Sequence, residues 1–87
     1  MQTSIDISYY PLLEEFIPEV QSFIDRLNNY PNIIVRTNGM STQVFGEYRI
    51  VMEIITNEIE KSFKLPNSIF VLKIANGLLD NYTPYNV

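Results

Sequence analysis

Ser4-Ile5-Asp6-Ile7-Ser8-Tyr9 alternates polar and apolar side chains, and from Leu13 the pattern changes. Leu13, Phe16, Ile17, Val20, Phe23, Ile24 and Leu27 then recur every three or four residues. The first stretch has the two-residue period of a half-buried strand. The second has the one-sided apolar stripe of an amphipathic helix. Pro11 stands between them and ends the strand, because proline cannot donate to a ladder. Pro18 would damage a helix interior but is welcome in a first turn, so regular helix is expected from near Phe16 or Ile17, within a helical segment spanning about Leu13–Asn29. Asn28-Asn29-Tyr30-Pro31 stops it.

Working outward, Ile33-Ile34-Val35 is rich in β-branched residues and predicts a second strand. Asn38-Gly39 is a turn signal, and Ser41 to Phe45 returns as the partner strand of a hairpin. Gly46 punctuates again. Val51, Ile54, Ile55, Ile59 and Phe63 then mark a second helix over about Glu47–Lys64. Glu47 in its first turn suits the positive end of the helix dipole, and Glu60 to Lys64 is a favourable i,i+4 pair. Pro66-Asn67 breaks the helix, Ser68 to Ala75 forms the last strand, and Gly77 opens an irregular tail over 77–87.

The order is β-α-β-β-α-β, the split βαβ arrangement of ferredoxin-like α+β sandwiches. Each helix has one apolar stripe to bury, so both must cover the same face of a four-stranded antiparallel sheet of order 4-1-3-2. The other face lies open. It should carry Ser4, Asp6, Ser8 and Tyr10 from the first strand and Ile69, Val71 and Lys73 from the last. Phe70, Leu72 and Ile74 should point to the helices. Eighty-seven residues make one domain, 1–87, tail included.

Composition narrows the function. Six Lys and Arg against ten Asp and Glu give a net charge of −4, and the pI is near 4.5 with mean hydropathy near zero. Arg26, Arg36 and Arg49 are scattered, so no basic patch offers itself to phosphates, and neither nucleic acid nor an anionic membrane is an expected partner. The chain holds no cysteine and no histidine, which removes disulfides, thiolate chemistry and the commonest metal ligand. No metal site and no cofactor are expected. An enzyme would have to work with paired carboxylates, and Glu14-Glu15 and the Glu58/Glu60 pair are expected on loop or helix surface, where nothing raises a pKa. No apolar run approaches the ~20 residues of a membrane span, and no basic-then-apolar leader opens the chain. The expectation is a cytoplasmic protein without catalytic residues.

A core this small seldom supplies more than ~3–5 kcal/mol unaided, and with no cysteine the remaining staple is self-association. A homo-oligomer is expected, a dimer or tetramer joined through open sheet faces.

Three segments resemble a known family. Ile7-Ser8-Tyr9-Tyr10-Pro11-Leu12 looks like the first-strand signature of the thiamine-binding YkoF-like proteins. Gly39-Met40-Ser41-Thr42-Gln43-Val44-Phe45-Gly46-Glu47 is similar to that family's central motif, a Met-Ser-Thr followed by an apolar residue, Gly and an acid. Leu72-Lys73-Ile74 sits where the family has a comparable last-strand triplet. The resemblance spans nearly the whole chain up to Gly77. It implies a ferredoxin-like fold, oligomerisation, and binding of thiamine or its hydroxymethylpyrimidine part without catalysis. An aminopyrimidine wants hydroxyl, amide or carboxylate groups at its edge and an aromatic or Met at its face, and a thiazolium cation wants a carboxylate or a π face. Ser8, Asn38, Met40, Ser41, Thr42, Phe45 and Glu47 supply these and are the candidate site, expected between the open sheet face and the 39–47 hairpin. Each also has a structural role open to it. Asn38-Gly39 suits a hairpin, Ser41 and Thr42 can bond their own backbone, Met40 can fill a core gap, and Glu47 can cap a helix. A regulatory or structural subunit, binding another small molecule or a partner protein through the open face, is the alternative reading.

Overall fold

The computed structural model describes residues 1–80. Its elements are β1 (Gln2–Pro11), α1 (Ile17–Asn28), β2 (Ile34–Thr37), β3 (Thr42–Glu47), α2 (Tyr48–Ser62) and β4 (Ser68–Asn76). The four-stranded antiparallel sheet has spatial order β2-β3-β1-β4, the expected order read from its other edge. β1 lies centrally because its alternation gives it a fully buried face, with Ile5 and Ile7 aimed at the helices.

Ile5, Ile7 and Val44 of the sheet meet Phe23 and Leu27 of α1 and Val51, Ile54 and Ile55 of α2 in one core. At the Pro11 end of β1 the core becomes aromatic. Tyr9 stacks on Phe70 with ring centroids 4.3 Å apart, and Phe23 meets Tyr9 edge-on at 5.6 Å. Such geometry adds about 0.5–1.5 kcal/mol per pair beyond the area buried.

Helix starts follow local chemistry. Phe16 is the N-cap of α1, and Pro18 falls in its first turn, so regular helix starts at Ile17 as expected, and of the wider segment only 13–16 lies outside it. Glu47 is at once the last residue of β3 and the N-cap of α2; its carboxylate accepts from the Ile50 N–H at 3.1 Å. No loop separates strand from helix, and Gly46 makes this possible. A Cβ at that position would stand 3.0 Å from Val51 Cγ2, so the absence of a side chain lets α2 fold directly back on β3.

The burial of two residues departs from expectation. Ile74 lies opposite Ile5 in the ladder, on the helix-facing side as expected, yet remains 51% exposed, whereas Phe70 and Leu72 of the same edge strand pack against the core. Glu58, expected at the helix surface, is 1% exposed. It follows Ile54 and Ile55 at helical spacing and so belongs to the inward stripe of α2. There it receives Arg26 Nε at 2.7 Å, Tyr30 Oη at 2.6 Å and Lys61 Nζ at 3.0 Å. Burial alone would push its carboxyl up, but the bonds from Tyr30, Arg26 and Lys61 together hold it below the usual carboxylate range. Arg26 Nη2 also reaches Ser62 Oγ at 2.7 Å, fastening α1 to α2.

The open face is partly covered by the chain itself. After Gly77, at φ +101°, the backbone turns across the sheet. Gly77 N donates to Gln2 O, Ser4 Oγ donates to Gly77 O, and Leu79 N donates to Ser4 Oγ, each at 2.8 Å. Arg36 on β2 then holds Asp80. This strap runs from the β4 edge over β1 and β3 to β2 and leaves Phe45 beneath it 3% exposed. Tyr10, Ile69 and Val71 on the remaining half of the face stay exposed. Tyr82 and Tyr85 of the tail lie outside the described residues.

Candidate functional site

At one end of the sheet, β1 outruns its neighbour. Its pairing with β3 ends at Ile7–Thr42, whereas its pairing with β4 continues to Pro11–Ser68. Beyond Ile7, the edge of β1 that faces away from β4 has no ladder partner. A cleft of about 360 Å³ opens there, bounded by Ser8–Leu12, by Phe16, Val20 and Ile24 of α1, and by the turn from Thr37 to Thr42. That volume lies in the range of small-ligand sites.

The turn is built by Asn38. Its Oδ1 accepts from Met40 N at 2.7 Å and from Ser41 N at 3.0 Å, a side-chain mimic of a backbone turn. Thr37 and Thr42, the first pair of the β2–β3 ladder, join hydroxyls at 3.2 Å. Ser41 Oγ donates to Asp6 Oδ1 at 2.5 Å, tying the turn to the middle of β1.

Five of the seven candidate residues, Ser8, Asn38, Met40, Ser41 and Thr42, line this one cleft. Met40 stands out at the turn at 88% exposure instead of filling the core. The other two lie elsewhere. Phe45 is under the strap, and Glu47 caps α2 at the far end of β3, roughly 16 Å from Thr42 at the ~3.3 Å rise of a strand. Glu47 lies 3.9 Å from the terminal ammonium of Met1. The cleft joins Ser8 and Tyr10 of the open sheet face and the turn at the start of the 39–47 hairpin, as expected, to Phe16, Val20 and Ile24 of α1, which were not expected there. Phe16, Val20 and Ile24 are the lining residues that the sequence reading assigned only to a helix stripe. Phe16 is exposed and Val20 and Ile24 are half-buried, and with them the cleft is lined by the stretch of β1 beyond its last pair with β3, a gap that no local period in the sequence signals.

A different set of residues meets on the open face. Arg36, Gln43, Asp6 and Lys73 are successive ladder partners and form one polar row across all four strands. Asp6 accepts from Ser41, which lines the cleft, and itself lines a second hollow of about 280 Å³ together with Phe45 and Leu79. Among the described residues, no cluster of three or more potential metal ligands occurs, and no helix is long and apolar enough to cross a membrane.

No protein-family model matches the chain, and no curated protein matches it. Solved structures do. The chain superposes on the crystal structure of a Streptococcus pneumoniae protein with TM-score 0.83 at 21% identity, covering 94% of this chain and 93% of that one. A candidate thiamine biosynthesis/salvage protein of Thermotoga maritima gives 0.79 at 14% identity, over 88% and 85% of the two chains. A Bacillus cereus domain of unknown function, DUF77, gives 0.65 at 16%, over 88% and 77%. At these identities the likeness establishes the architecture, a four-stranded antiparallel sheet backed on one face by two helices.

Proposed function

We propose that this chain binds thiamine or its hydroxymethylpyrimidine part non-covalently in the cleft between the 37–42 turn, the end of β1 and the first half of α1. The observation that carries the reading is the cleft's lining: an apolar wall of Tyr9, Phe16, Val20 and Ile24 faces the polar groups of Ser8, Asn38, Ser41 and Thr42. A flat heteroaromatic ring needs that combination, one side to bury its face and the other to pair its edge. The net charge of −4 favours a thiazolium cation over a phosphate ester. The family resemblance in residues 7–12 and 39–47 supports the same ligand, as does a neighbour of the same fold tied to thiamine biosynthesis or salvage. The role is binding without catalysis, in storage, buffering or delivery within the cytoplasm.

Calorimetry of the purified protein with thiamine and with hydroxymethylpyrimidine tests this. Saturable heat and a rise in Tm with either ligand support it; no heat and no rise at millimolar ligand overturn it. Tyr10, Ile69 and Val71, exposed on the half of the sheet face that the strap leaves bare, favour a second role as a contact surface between copies or with a partner protein.

A further inference from the structure

The cleft's polar edge has a fixed donor–acceptor order. Ser41 Oγ spends its one hydrogen on Asp6 Oδ1, and a carboxylate has no hydrogen to return. Ser41 therefore meets the cleft as an acceptor. Asn38 has the opposite bias. Its Oδ1 is taken by two backbone N–H groups, which fixes the amide's orientation and leaves Nδ2, a donor, as its remaining polar atom. The two residues stand three apart on one tight turn, and both line the cleft.

We infer that the 38–41 turn selects ligands whose edge places a ring-nitrogen acceptor beside an exocyclic amine, as in a 4-aminopyrimidine, and rejects the 4-oxo counterpart. The inference rests on the cleft being the binding site. An aminopyrimidine edge offers its ring nitrogen to Asn38 Nδ2 and an amine hydrogen to Ser41 Oγ. The 4-oxo tautomer presents N–H where the ring acceptor was and a carbonyl where the amine was. Donor then meets donor and acceptor meets acceptor, each desolvated without a partner, and sites that read polar edges discriminate strongly for this reason. Asp6 does not touch the ligand. It is a positioning residue that sets which way the Ser41 hydroxyl points.

Titration of the whole protein with thiamine and with its 4-oxo analogue tests the idea through the ratio of their affinities. Both carry the same thiazolium, so a change in local charge cancels in that ratio. Wild type should prefer thiamine by about ten- to a hundredfold. Asp6→Asn can donate its amide hydrogen to Ser41 Oγ and free the hydroxyl to donate to a carbonyl, so the ratio should fall toward unity while the circular dichroism is kept. Ser41→Ala should narrow it as well. Equal affinities in wild type overturn the selectivity and leave the binding site standing. An unchanged ratio in folded Asp6→Asn overturns the role of Asp6. Binding of neither compound overturns the cleft reading and this inference with it.

Discussion

Arg36 on β2 holds Asp80 through two parallel hydrogen bonds, Nε to Oδ1 at 2.9 Å and Nη2 to Oδ2 at 3.1 Å. The strand that Asp80 follows, β4, lies at the opposite edge of the sheet, so the strap must span the face between them. Arg36 is well exposed, and its contact is screened by water. The stronger anchor is Ser4, which is buried and both donates to Gly77 and accepts from Leu79.

Ser4→Ala should therefore loosen the strap. Two part-buried backbone groups, Gly77 C=O and Leu79 N–H, lose their partner, at a cost of about 1 kcal/mol. Hydrogen exchange of the Leu79 amide should accelerate while Ile5 and Ile7 remain protected. Unaltered Leu79 protection in the variant would mean that the strap is held by contacts other than Ser4.

Glu58 predicts an acid limb to stability. Its carboxyl is held low in the fold by Tyr30, Arg26 and Lys61 against the opposing effect of burial. A depressed folded pKa stabilises at pH above the unfolded value, near ~4.3, and that gain is lost as pH falls through the lower folded value. Glu58→Gln should flatten this limb and cost about 2–3 kcal/mol at neutral pH, since charge-assisted bonds are replaced by weaker ones. Tyr30 carries the opposite sign. The hydrogen bond to Glu58, with burial, raises its phenol, so its share is complete below ~10 and lost as pH rises through the folded value. Urea midpoints from pH 3 to 7 for wild type and Glu58→Gln check the acid limb, and parallel curves would refute it.

The two periods in residues 4–27 determined the strand–helix start of the fold, and the sheet order followed from helix faces that can bury only one way. What escaped were partnerships between residues far apart in sequence. Ser4 with Gly77 and Arg36 with Asp80 have no local signature, because an irregular strap has no period. Glu58 was legible in principle: it sits on the stripe that Val51, Ile54 and Ile55 define, and a carboxylate there demands a partner such as Arg26. Ile74 fits the alternation of its strand, but alternation sets the face and not the depth: Phe70 and Leu72 reach the core and Ile74 stays exposed. In the site, Asn38, Met40, Ser41 and Thr42 line one cleft because they share one tight turn. Phe45 and Glu47 lie away from it, because the six residues of β3 carry the chain to the far end of the sheet.

Association should run through the uncovered half of the open face. Val71 lies beside Ser8 in the ladder, and Ile69 beside Tyr10, on the edge strand β4. Such apolar groups on an unprotected edge invite a second copy. We expect a dimer or larger assembly in sedimentation at micromolar concentration, and Val71→Asp should shift it toward monomer. A wild-type protein that sediments as a monomer of 10.1 kDa would rule this interface out.

The positions of Ser41 and Glu47 separate binding from folding. Both belong to the motif, but Ser41 lines the cleft whereas Glu47 caps α2 through the Ile50 N–H. Ser41→Ala removes the acceptor proposed for the pyrimidine amine. It should weaken thiamine and hydroxymethylpyrimidine alike by about 1–3 kcal/mol, some ten- to a hundredfold in Kd. The same change costs the fold only its tie to Asp6, so Tm should move little. Glu47→Gln should do the reverse. It keeps a capping oxygen but loses the charge at the helix N-terminus, a loss of about 0.3–1 kcal/mol in stability, with both affinities unchanged. Paired calorimetry and thermal melts on the two variants decide the matter. If Glu47→Gln weakened thiamine selectively while Ser41→Ala left it intact, the thiazolium would lie against the α2 end of the sheet, and the cleft beside α1 would not be the site.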